Sequence, residues 1–215
     1  MSMLLLTCVL LPLFASVIVY PIGKKNNNAG YAVSCVVCGA VLACAAVLLL
    51  VPEGIEYMRP SVMTDFWGFS SNRFNTVLLS AAAVMWFVTT VFAKPYFAPH
   101  GGIPARYLSF TLATLGATAG VFLAADLITL LTCFEIMSFT SFVWVIQEET
   151  QQARRAASTY LAIAVLGGMS MLAGMFILWH ECGTLQLSAL EGASGSGVFT
   201  AAVLMLVGFG AKAGM

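Results

Sequence analysis

Charged residues are scarce in this sequence. Nine basic and nine acidic residues make up 8% of its 215 positions, against about 25% in an average soluble domain. The formal net charge is zero, so nothing in the composition indicates binding to nucleic acid or to acidic partners. With 60% hydrophobic residues and a mean hydropathy of +0.96, the chain is too apolar for a water-soluble surface. These values predict an integral membrane protein whose first partner is the lipid bilayer.

Patterns that bind metals are also lacking. The sequence contains six cysteines and two histidines. Cys35 and Cys38 form a C-x-x-C, but it lies in an apolar run, and neither a second pair nor a histidine follows at ligand spacing. We therefore interpret the cysteines as small apolar packing residues and predict neither a metal nor a cofactor. The first ten residues contain no lysine or arginine, so signal-peptide cleavage is not expected.

Apolar stretches long enough to cross a bilayer as helices, about 20 residues each, dominate the rest of the chain. They predict spans at 3–20, 30–51, 76–93, 106–125, 127–147, 156–179 and from 198 to the end. Proline and glycine clusters predict the connectors between them. The predicted fold is an all-α, polytopic transmembrane helix bundle with six complete helices and the start of a seventh.

Basic residues are distributed unevenly between alternate connectors. One set of connectors contains Lys24, Lys25, Lys94, Arg106, Arg154 and Arg155. The opposite set contains only Arg59 and Arg73, so the positive-inside rule places the N-terminus outside. Aromatic residues in the outer connector 52–75 are typical of an interfacial, partly amphipathic segment. They are Phe66, Trp67, Phe69 and Phe74.

Two charges remain inside the predicted spans. Glu135 lies about 12 Å into helix five at 1.5 Å per residue, with Thr132 and Ser138 three residues away on either side. Lys212 lies late in helix seven among glycines. Each charge is costly to bury in a bilayer, and neither has an opposite charge on its own helix. An ion pair between the two helices would lower the free-energy cost of burying both. If helix seven begins at Val198, however, Lys212 lies about 21 Å from the outer surface, deeper than Glu135.

The remaining charge near a span is Asp126. It stands at the outer start of helix five, where a carboxylate complements the helix dipole. An N-cap is the favoured interpretation, and a supporting polar role at the site is the alternative. For the Glu135–Lys212 pair, a static ion pair that only fixes helix packing is the alternative to a functional one.

These residues resemble a known family. The stretch from Asp126 to Ser138, with Glu135 inside it, is similar to the helix-five motif of the antiporter-like membrane subunits of respiratory complex I and energy-converting hydrogenases. The stretch from Leu206 to Met215 is similar to that family's helix-seven motif. Tyr160-Leu161 and Gly183-Thr184 match weaker family marks. The similarity is clear from about residue 105 onward, while the first hundred residues match only in topology.

The resemblance implies functions for these residues. It assigns Glu135 and Lys212 to a proton-translocating half-channel whose ion pair alternately tightens and loosens. It also implies a first domain at 1–105, helices one to three with the outer connector, and a second at 106–215, the start of the proton-translocating repeat. Family members continue past this point into a second inverted repeat, so the chain is expected to be an N-terminal portion or to need a companion chain.

The expected function is that of a non-redox, proton-translocating membrane subunit of a redox-driven complex. Its expected partners are other membrane subunits and, indirectly, peripheral redox subunits, with the hydrogenase and formate hydrogenlyase type favoured by the sequence around Lys212. The expected location is the cell inner (plasma) membrane. The alternatives are a subunit of a multisubunit sodium/proton antiporter and an inactive, truncated membrane scaffold. Whether the chain is part of an oxidoreductase enzyme stays open at this point.

Overall fold

The computed structural model describes residues 2–50, 55–58, 68–100 and 102–214. Within these ranges the chain forms α-helices, a short 3-10 turn at Ala98–His100 and one pair of short strands, β1 (Ile55–Met58) and β2 (Gly68–Ser71). The helices are α1 (Ser2–Lys25), α2 (Asn27–Leu50), α3 (Arg73–Phe97), α4 (Ala105–Leu123), α5 (Leu127–Val145), α6 (Gln151–Cys182) and α7 (Ser196–Ala213). The predicted all-α bundle is confirmed. The predicted orientation of the N-terminus stays a prediction.

Six of these helices are long and apolar enough to cross a membrane, and α4 is not among them in the described residues. Hydroxyl side chains lower the apolarity of α4. Thr111, Thr114 and Thr118 each donate a hydrogen bond to the carbonyl oxygen four residues earlier. Residues 111–120 of α4 are buried by neighbouring helices, so this helix does not need a lipid-facing apolar surface.

Several helices extend further than predicted. Instead of ending before a connector at Pro21, α1 continues to Lys25, and only Asn26 separates it from α2. In the same way, α3 continues through Pro95 to Phe97. Proline leaves the carbonyl four residues earlier without its helical donor, and at Pro95 the Tyr31 hydroxyl donates to that Val91 carbonyl at 3.3 Å. This bond gives the Val91 carbonyl a donor where the helix continues past the proline.

The ends of α6 are defined by caps that extend it to 32 residues. The Thr150 hydroxyl accepts a hydrogen bond from the Ala153 backbone N–H at the first turn. At the other end, Gly183 adopts the left-handed conformation with φ 68°, which glycine adopts without strain.

The predicted aromatic segment before α3 differs from expectation where it is described. Phe69 lies in β2 and is buried, whereas Phe74 lies in the first turn of α3 and is exposed. Phe66, Trp67 and Arg59 lie outside the described residues.

The chain forms two compact units. The first contains Met1–Tyr57 and Phe69–Leu123, and the second contains Met58–Gly68 and Ala124–Met215. In the first unit, α1 packs closely on α4 because Gly116 has no side chain: an added Cβ would lie 2.8 Å from the Val9 carbonyl oxygen. The Ser109 hydroxyl also donates to the Ser16 carbonyl at 2.7 Å. The division expected at residue 105 stays a prediction.

In the second unit, α6 lies between α5 and α7 and approaches α7 through glycines. A Cβ on Gly174 would lie 2.8 Å from the Ala201 carbonyl oxygen, and one on Gly208 would lie 2.6 Å from the Gly167 carbonyl oxygen. Close contact between helix backbones is a usual role of small residues in membranes. This packing holds α7 at a fixed register against α6.

Candidate functional site

An ion pair between α5 and α7 lies in the second unit. Lys212 Nζ is 2.6 Å from Glu135 Oε1, so the two charges predicted inside spans meet. The Lys212 side chain is 4% exposed, and that of Glu135 is 28% exposed. An ammonium group this deeply buried requires a nearby carboxylate and hydrogen-bond acceptors.

The other hydrogens of the ammonium group also have acceptors. The Ser138 hydroxyl oxygen accepts a hydrogen bond from Lys212 at 2.9 Å, and the Phe134 carbonyl oxygen lies 3.5 Å away. The Phe134 ring centroid lies 4.7 Å from Lys212 Nζ, within the range of a cation–π interaction. Phe209 packs edge-on against that ring, with centroids 5.5 Å apart. The charge is therefore surrounded by a carboxylate, a hydroxyl, a carbonyl and an aromatic face.

The helix ends explain how residues at different expected depths meet. Glu135 lies about 12 Å from the start of α5 at Leu127, and Lys212 lies about 24 Å from the start of α7. However, α7 begins beside Glu181, because a Cβ on Gly197 would lie 2.6 Å from the Glu181 carboxyl carbon. Glu181 is about 20 Å further along α6 than Gly168, which contacts Glu135.

Gly168 is the residue of α6 that makes room for the carboxylate. A Cβ added there would overlap Glu135 Oε1 and lie 2.9 Å from the carboxyl carbon. The helix is regular at this position, so the requirement is for space rather than for an unusual backbone conformation. The glutamate is thus held between a glycine on α6 and the lysine on α7.

The supporting residues expected from the sequence have different roles. Ser138 contacts the ion pair, whereas the Thr132 hydroxyl donates to the Ile128 carbonyl within α5. Thr132 and Ser138 lie about 120° apart around the helix at 100° per residue. Only one of the two can therefore face α7.

Asp126 lies at the beginning of α5, as the N-cap. Its Oδ1 accepts a hydrogen bond from the Thr129 backbone N–H at 2.7 Å, and its Oδ2 accepts from the Thr129 hydroxyl at 2.6 Å. Oδ2 also accepts from the Gly68 backbone N–H at 2.9 Å. Asp126 pairs with Gln186 in an antiparallel bridge. The carboxylate therefore joins the start of α5 to the segment at Gly68, and the backbone bridge joins it to the segment at Gln186.

Sequence reasoning assigned no site role to Phe134 or to the hydroxyl pair formed by Ser141 and Tyr160, although Tyr160 matches a weaker family mark. These two hydroxyl oxygens are 2.6 Å apart, beside a cavity that Ser138 and Lys212 also line. Ser141 follows Ser138 at helical spacing, which is the signal that could have extended the polar face of α5. The orientation of the Phe134 ring depends on Phe209 and left no such signal.

Metal ligands do not cluster in the described ranges: no group of three or more His, Cys, Asp or Glu side chains there could hold an ion. All six cysteines are free thiols.

The fold and the site together define a multi-pass integral membrane protein with a buried carboxylate–ammonium pair inside a three-helix unit. Comparison with known proteins places it more narrowly. Residues 124–215 match the family model described as NADH:quinone oxidoreductase/Mrp antiporter, TM. This match covers both Glu135 and Lys212. It confirms the resemblance to antiporter-like membrane subunits and the expected multi-pass location in the plasma membrane.

Curated relatives extend the similarity along the chain. A Staphylococcus saprophyticus protein named as the antiporter subunit mnhD2 is 26% identical over 191 residues, which cover 82% of this chain and 38% of the relative. Its Staphylococcus haemolyticus counterpart is 24% identical over 230 residues, covering 100% of this chain and 44% of the relative. The chain thus spans less than half the length of these relatives.

Solved structures share the fold. A chain of the archaeal membrane-bound sulfane sulfur reductase complex superposes with a TM-score of 0.82 at 16% identity, covering 98% of this chain and 44% of that one. Respiratory complex I from Thermus thermophilus gives 0.80 at 19% identity, with 96% and 43% covered. The Mrp complex from Dietzia sp. also gives 0.80 at 19%, with 97% and 40% covered. The chain therefore shares the fold of these three membrane-protein chains.

Proposed function

We propose that this chain is the front part of a proton-translocating subunit in a multisubunit, redox-driven membrane complex, with Glu135 and Lys212 as its proton-handling pair. The observation that carries the proposal is the 2.6 Å contact between Lys212 Nζ and Glu135 Oε1, with the lysine side chain 4% exposed. Intramembrane ion pairs of this kind mark ion pathways more often than they stabilise a fold.

The geometry supports a cycle in which the pair closes and opens. With the carboxylate at hydrogen-bond distance, the lysine keeps its proton because the two charges compensate each other. When the carboxylate moves away, an unpaired charge is left in a desolvated site, which is costly. Transfer of the proton to a nearby acceptor relieves that cost. Movement of Glu135 therefore becomes coupled to movement of a proton.

Other membrane subunits are the proposed partners, and peripheral redox subunits would act through them. All three structural neighbours described above belong to multisubunit membrane complexes. In this proposal the redox chemistry belongs to those partners.

The test is the substitution Glu135→Gln in the intact complex, reconstituted into vesicles with a pH-sensitive dye inside. We expect assembly to persist and proton translocation to be lost, because a neutral amide cannot alternate between pairing with the ammonium and releasing it. Glu148→Gln is the matched control, since Glu148 is exposed beyond the end of α5. Normal translocation by Glu135→Gln would overturn the proposal.

A sodium/proton antiporter is the second candidate, favoured by the relatives named as antiporter subunits and by the similarity to the Mrp complex. The same ion pair serves either assignment. Vesicles that contain the complex but lack any electron donor distinguish them. Proton movement driven by a sodium gradient alone would select the antiporter, whereas movement only on addition of a reductant would select the redox-driven complex.

A further inference from the structure

Four basic residues stand at one end of the first unit, where α1 and α3 end and where α2 and α4 begin. Lys24 and Lys25 lie in the last turn of α1, and Lys94 lies in the last turn of α3. Arg106 is the second residue of α4. We call these four residues the basic rim.

Contacts between the helices hold the basic rim together. A Cβ on Gly23, the neighbour of Lys24, would lie 3.2 Å from the Cβ of Ala105, the first residue of α4. On α3, Lys94 Nζ lies 5.3 Å from the centroid of the Tyr31 ring of α2, within the range of a cation–π interaction. The ends of all four helices therefore meet at the rim.

The helices that form the rim have no acidic residues. None of the nine aspartates and glutamates of the sequence lies in 1–52 or 66–125, the stretches that contain α1 to α4. The side chains of Lys24, Lys25 and Lys94 are exposed. No carboxylate from these helices compensates the three ammonium charges, so an external anion at the rim would lower their mutual repulsion.

The rim lies at the depth of the phospholipid headgroups. The helices α1, α2 and α3 are each long and apolar enough to cross a membrane, so their ends stand at its surface. At the same end, the Phe97 ring packs against the rings of Tyr96 and Tyr107, with centroids 5.0 Å and 4.9 Å apart. Tyrosine is enriched at the membrane–water interface. Lipid phosphates are therefore the anions nearest to the rim.

The position of Lys94 distinguishes a binding surface from charges that only orient the chain. The positive-inside rule requires basic residues near a span but no fixed arrangement of them. Lys94 lies within α3 and is held over the Tyr31 ring, and the Tyr31 hydroxyl is itself bonded to the Val91 carbonyl at 3.3 Å. An ammonium group held at a defined place can bind an individual headgroup.

We propose that the basic rim binds the phosphate of an anionic phospholipid headgroup, in the leaflet that the positive-inside rule predicts to be cytoplasmic. Zwitterionic lipids also carry a phosphate, but the three lysines repel their cationic group. Phosphatidylglycerol carries a phosphate and no cation, so its charge matches the rim. This binding does not depend on the ion pair between α5 and α7, because the rim belongs to the first unit.

The first measurement follows the lysines one by one in the intact complex. The complex is placed in nanodiscs of phosphatidylcholine or of phosphatidylglycerol, and a water-soluble reagent acetylates accessible amines, which are then identified by peptide mass spectrometry. Acetylation of Lys94 should be several-fold slower in phosphatidylglycerol, because the bound headgroup covers its ammonium group. Lys212, only 4% exposed, should react slowly in both lipids. Equal rates at Lys94 in the two lipids would overturn the proposal.

An anionic membrane surface slows acetylation of any amine near it, so a reference amine is required. Arg155→Lys places one on α6 at an exposed position outside the rim. Its acetylation should differ less between the two lipids than that of Lys94. An equal difference at both positions would reduce the effect to general surface charge and contradict the proposal.

The second measurement counts bound lipids by native mass spectrometry of the complex released from nanodiscs of both lipids. The triple variant Lys24→Gln, Lys25→Gln, Lys94→Gln should retain fewer phosphatidylglycerol molecules, with affinity about fivefold lower for each charge removed. The corresponding triple arginine variant keeps the charges and should retain the lipid. Arg154→Gln with Arg155→Gln removes exposed charges outside the rim and is the matched control. Native retention by a folded triple glutamine variant would refute the site.

The remaining arms separate the lipid from other anions. Inorganic phosphate added to phosphatidylcholine nanodiscs should leave Lys94 acetylation unchanged, and slower acetylation would assign the rim to free phosphate instead. A carbodiimide, which joins an amine directly to a carboxylate, should not link Lys94 to another subunit. Such a link would replace the lipid with an acidic protein segment and overturn the proposal.

Discussion

Gly168→Ala moves the carboxylate of the ion pair without changing any charge. The added methyl group would overlap Glu135 Oε1, so the carboxylate must shift by about 1 Å to restore van der Waals contact. The end of a glutamate side chain is flexible enough to make that shift. The 2.6 Å distance to Lys212 would then increase to about 3.6 Å.

The loss of attraction follows from Coulomb's law. At an effective dielectric constant of about 20, two unit charges attract by about 6.4 kcal/mol at 2.6 Å and about 4.6 kcal/mol at 3.6 Å. The difference of about 1.8 kcal/mol corresponds to about twentyfold in the population of the closed pair. Since the proposed cycle depends on closure, proton translocation should fall by up to about twentyfold.

The free energy of unfolding should change less than activity in this variant. Alanine is favoured over glycine inside a helix by about 1 kcal/mol, which offsets much of the cost of moving the carboxylate. Gly174→Ala is the contrasting variant, because its Cβ would lie 2.8 Å from the Ala201 carbonyl oxygen. Backbone cannot move aside as a side chain can, so thermal stability in detergent should fall for Gly174→Ala more than for Gly168→Ala.

Replacing Glu135 by the shorter aspartate tests directly whether a methyl group at residue 168 displaces the carboxylate. In the Gly168→Ala background, Glu135→Asp withdraws the carboxylate by one methylene group and makes room for the added methyl. The cost of Gly168→Ala should therefore be smaller in the Glu135→Asp background than in the native chain, a non-additive result typical of residues in contact. Native translocation by a correctly folded Gly168→Ala single variant would refute the argument that this glycine sets the position of the carboxylate.

Three further substitutions test separate parts of the structure. Ser138→Ala removes the 2.9 Å acceptor of Lys212 and should slow translocation about tenfold, as for a hydrogen bond to a charged group, measured as the initial rate in vesicles. Asp126→Ala removes the N-cap and the bond to Gly68 and should lower stability by about 1–2 kcal/mol, read as a decrease in Tm in detergent. Gly116→Val should decrease Tm strongly, because even a Cβ there would lie 2.7 Å from a side-chain carbon of α1 and 2.8 Å from a carbonyl oxygen.

Each of these has a matched control in the chain. Thr132→Ala removes a hydroxyl from α5 that is bonded within its own helix, so it should leave the initial rate unchanged. Asp126→Asn keeps a side-chain oxygen that can accept at the N-cap and should lose less stability than the alanine variant. Gly39→Ala should be tolerated, since its Cβ would make an ordinary 3.6 Å contact with Phe87. Equal effects of a variant and its control would contradict the corresponding contact.

The ion pair was predictable because charge is rare in this chain. A single acid and a single base inside apolar spans are costly when apart, so their meeting follows from energetics before any geometry is known. Ser138 was predictable from its spacing to Glu135. Thr132, at the same spacing on the other side, was not distinguishable from it, because sequence spacing gives the angle around a helix but not the direction in which the partner helix lies.

Features that depend on a single side chain from a distant part of the sequence were not predictable. Pro95 indicates a helix end in the sequence, whereas α3 continues past it, and Tyr31 of α2 donates to the Val91 carbonyl that the proline leaves without a helical donor. The aromatic face beneath Lys212 likewise depends on Phe209 packing against Phe134. In both cases one side chain from a distant part of the sequence decides the local structure, and local patterns carry no record of it.

The depths of Glu135 and Lys212 could be compared only once the contacts of α5 and α7 along the length of α6 were known. Counted from the predicted starts of their own helices, Glu135 and Lys212 lie at different depths. Measured by the residues of α6 that they lie beside, the two side chains are at the same depth. Glu135 contacts Gly168, and the Cβ of a residue at Gly167 would lie 3.1 Å from the Cβ of Ala211, next to Lys212. Since side chains on a helix point toward its N-terminus, Lys212 reaches back to the level of Gly168. The two adjacent glycines of α6 therefore set the height of both partners, one by giving space to the acid and the other by letting the helix of the base approach.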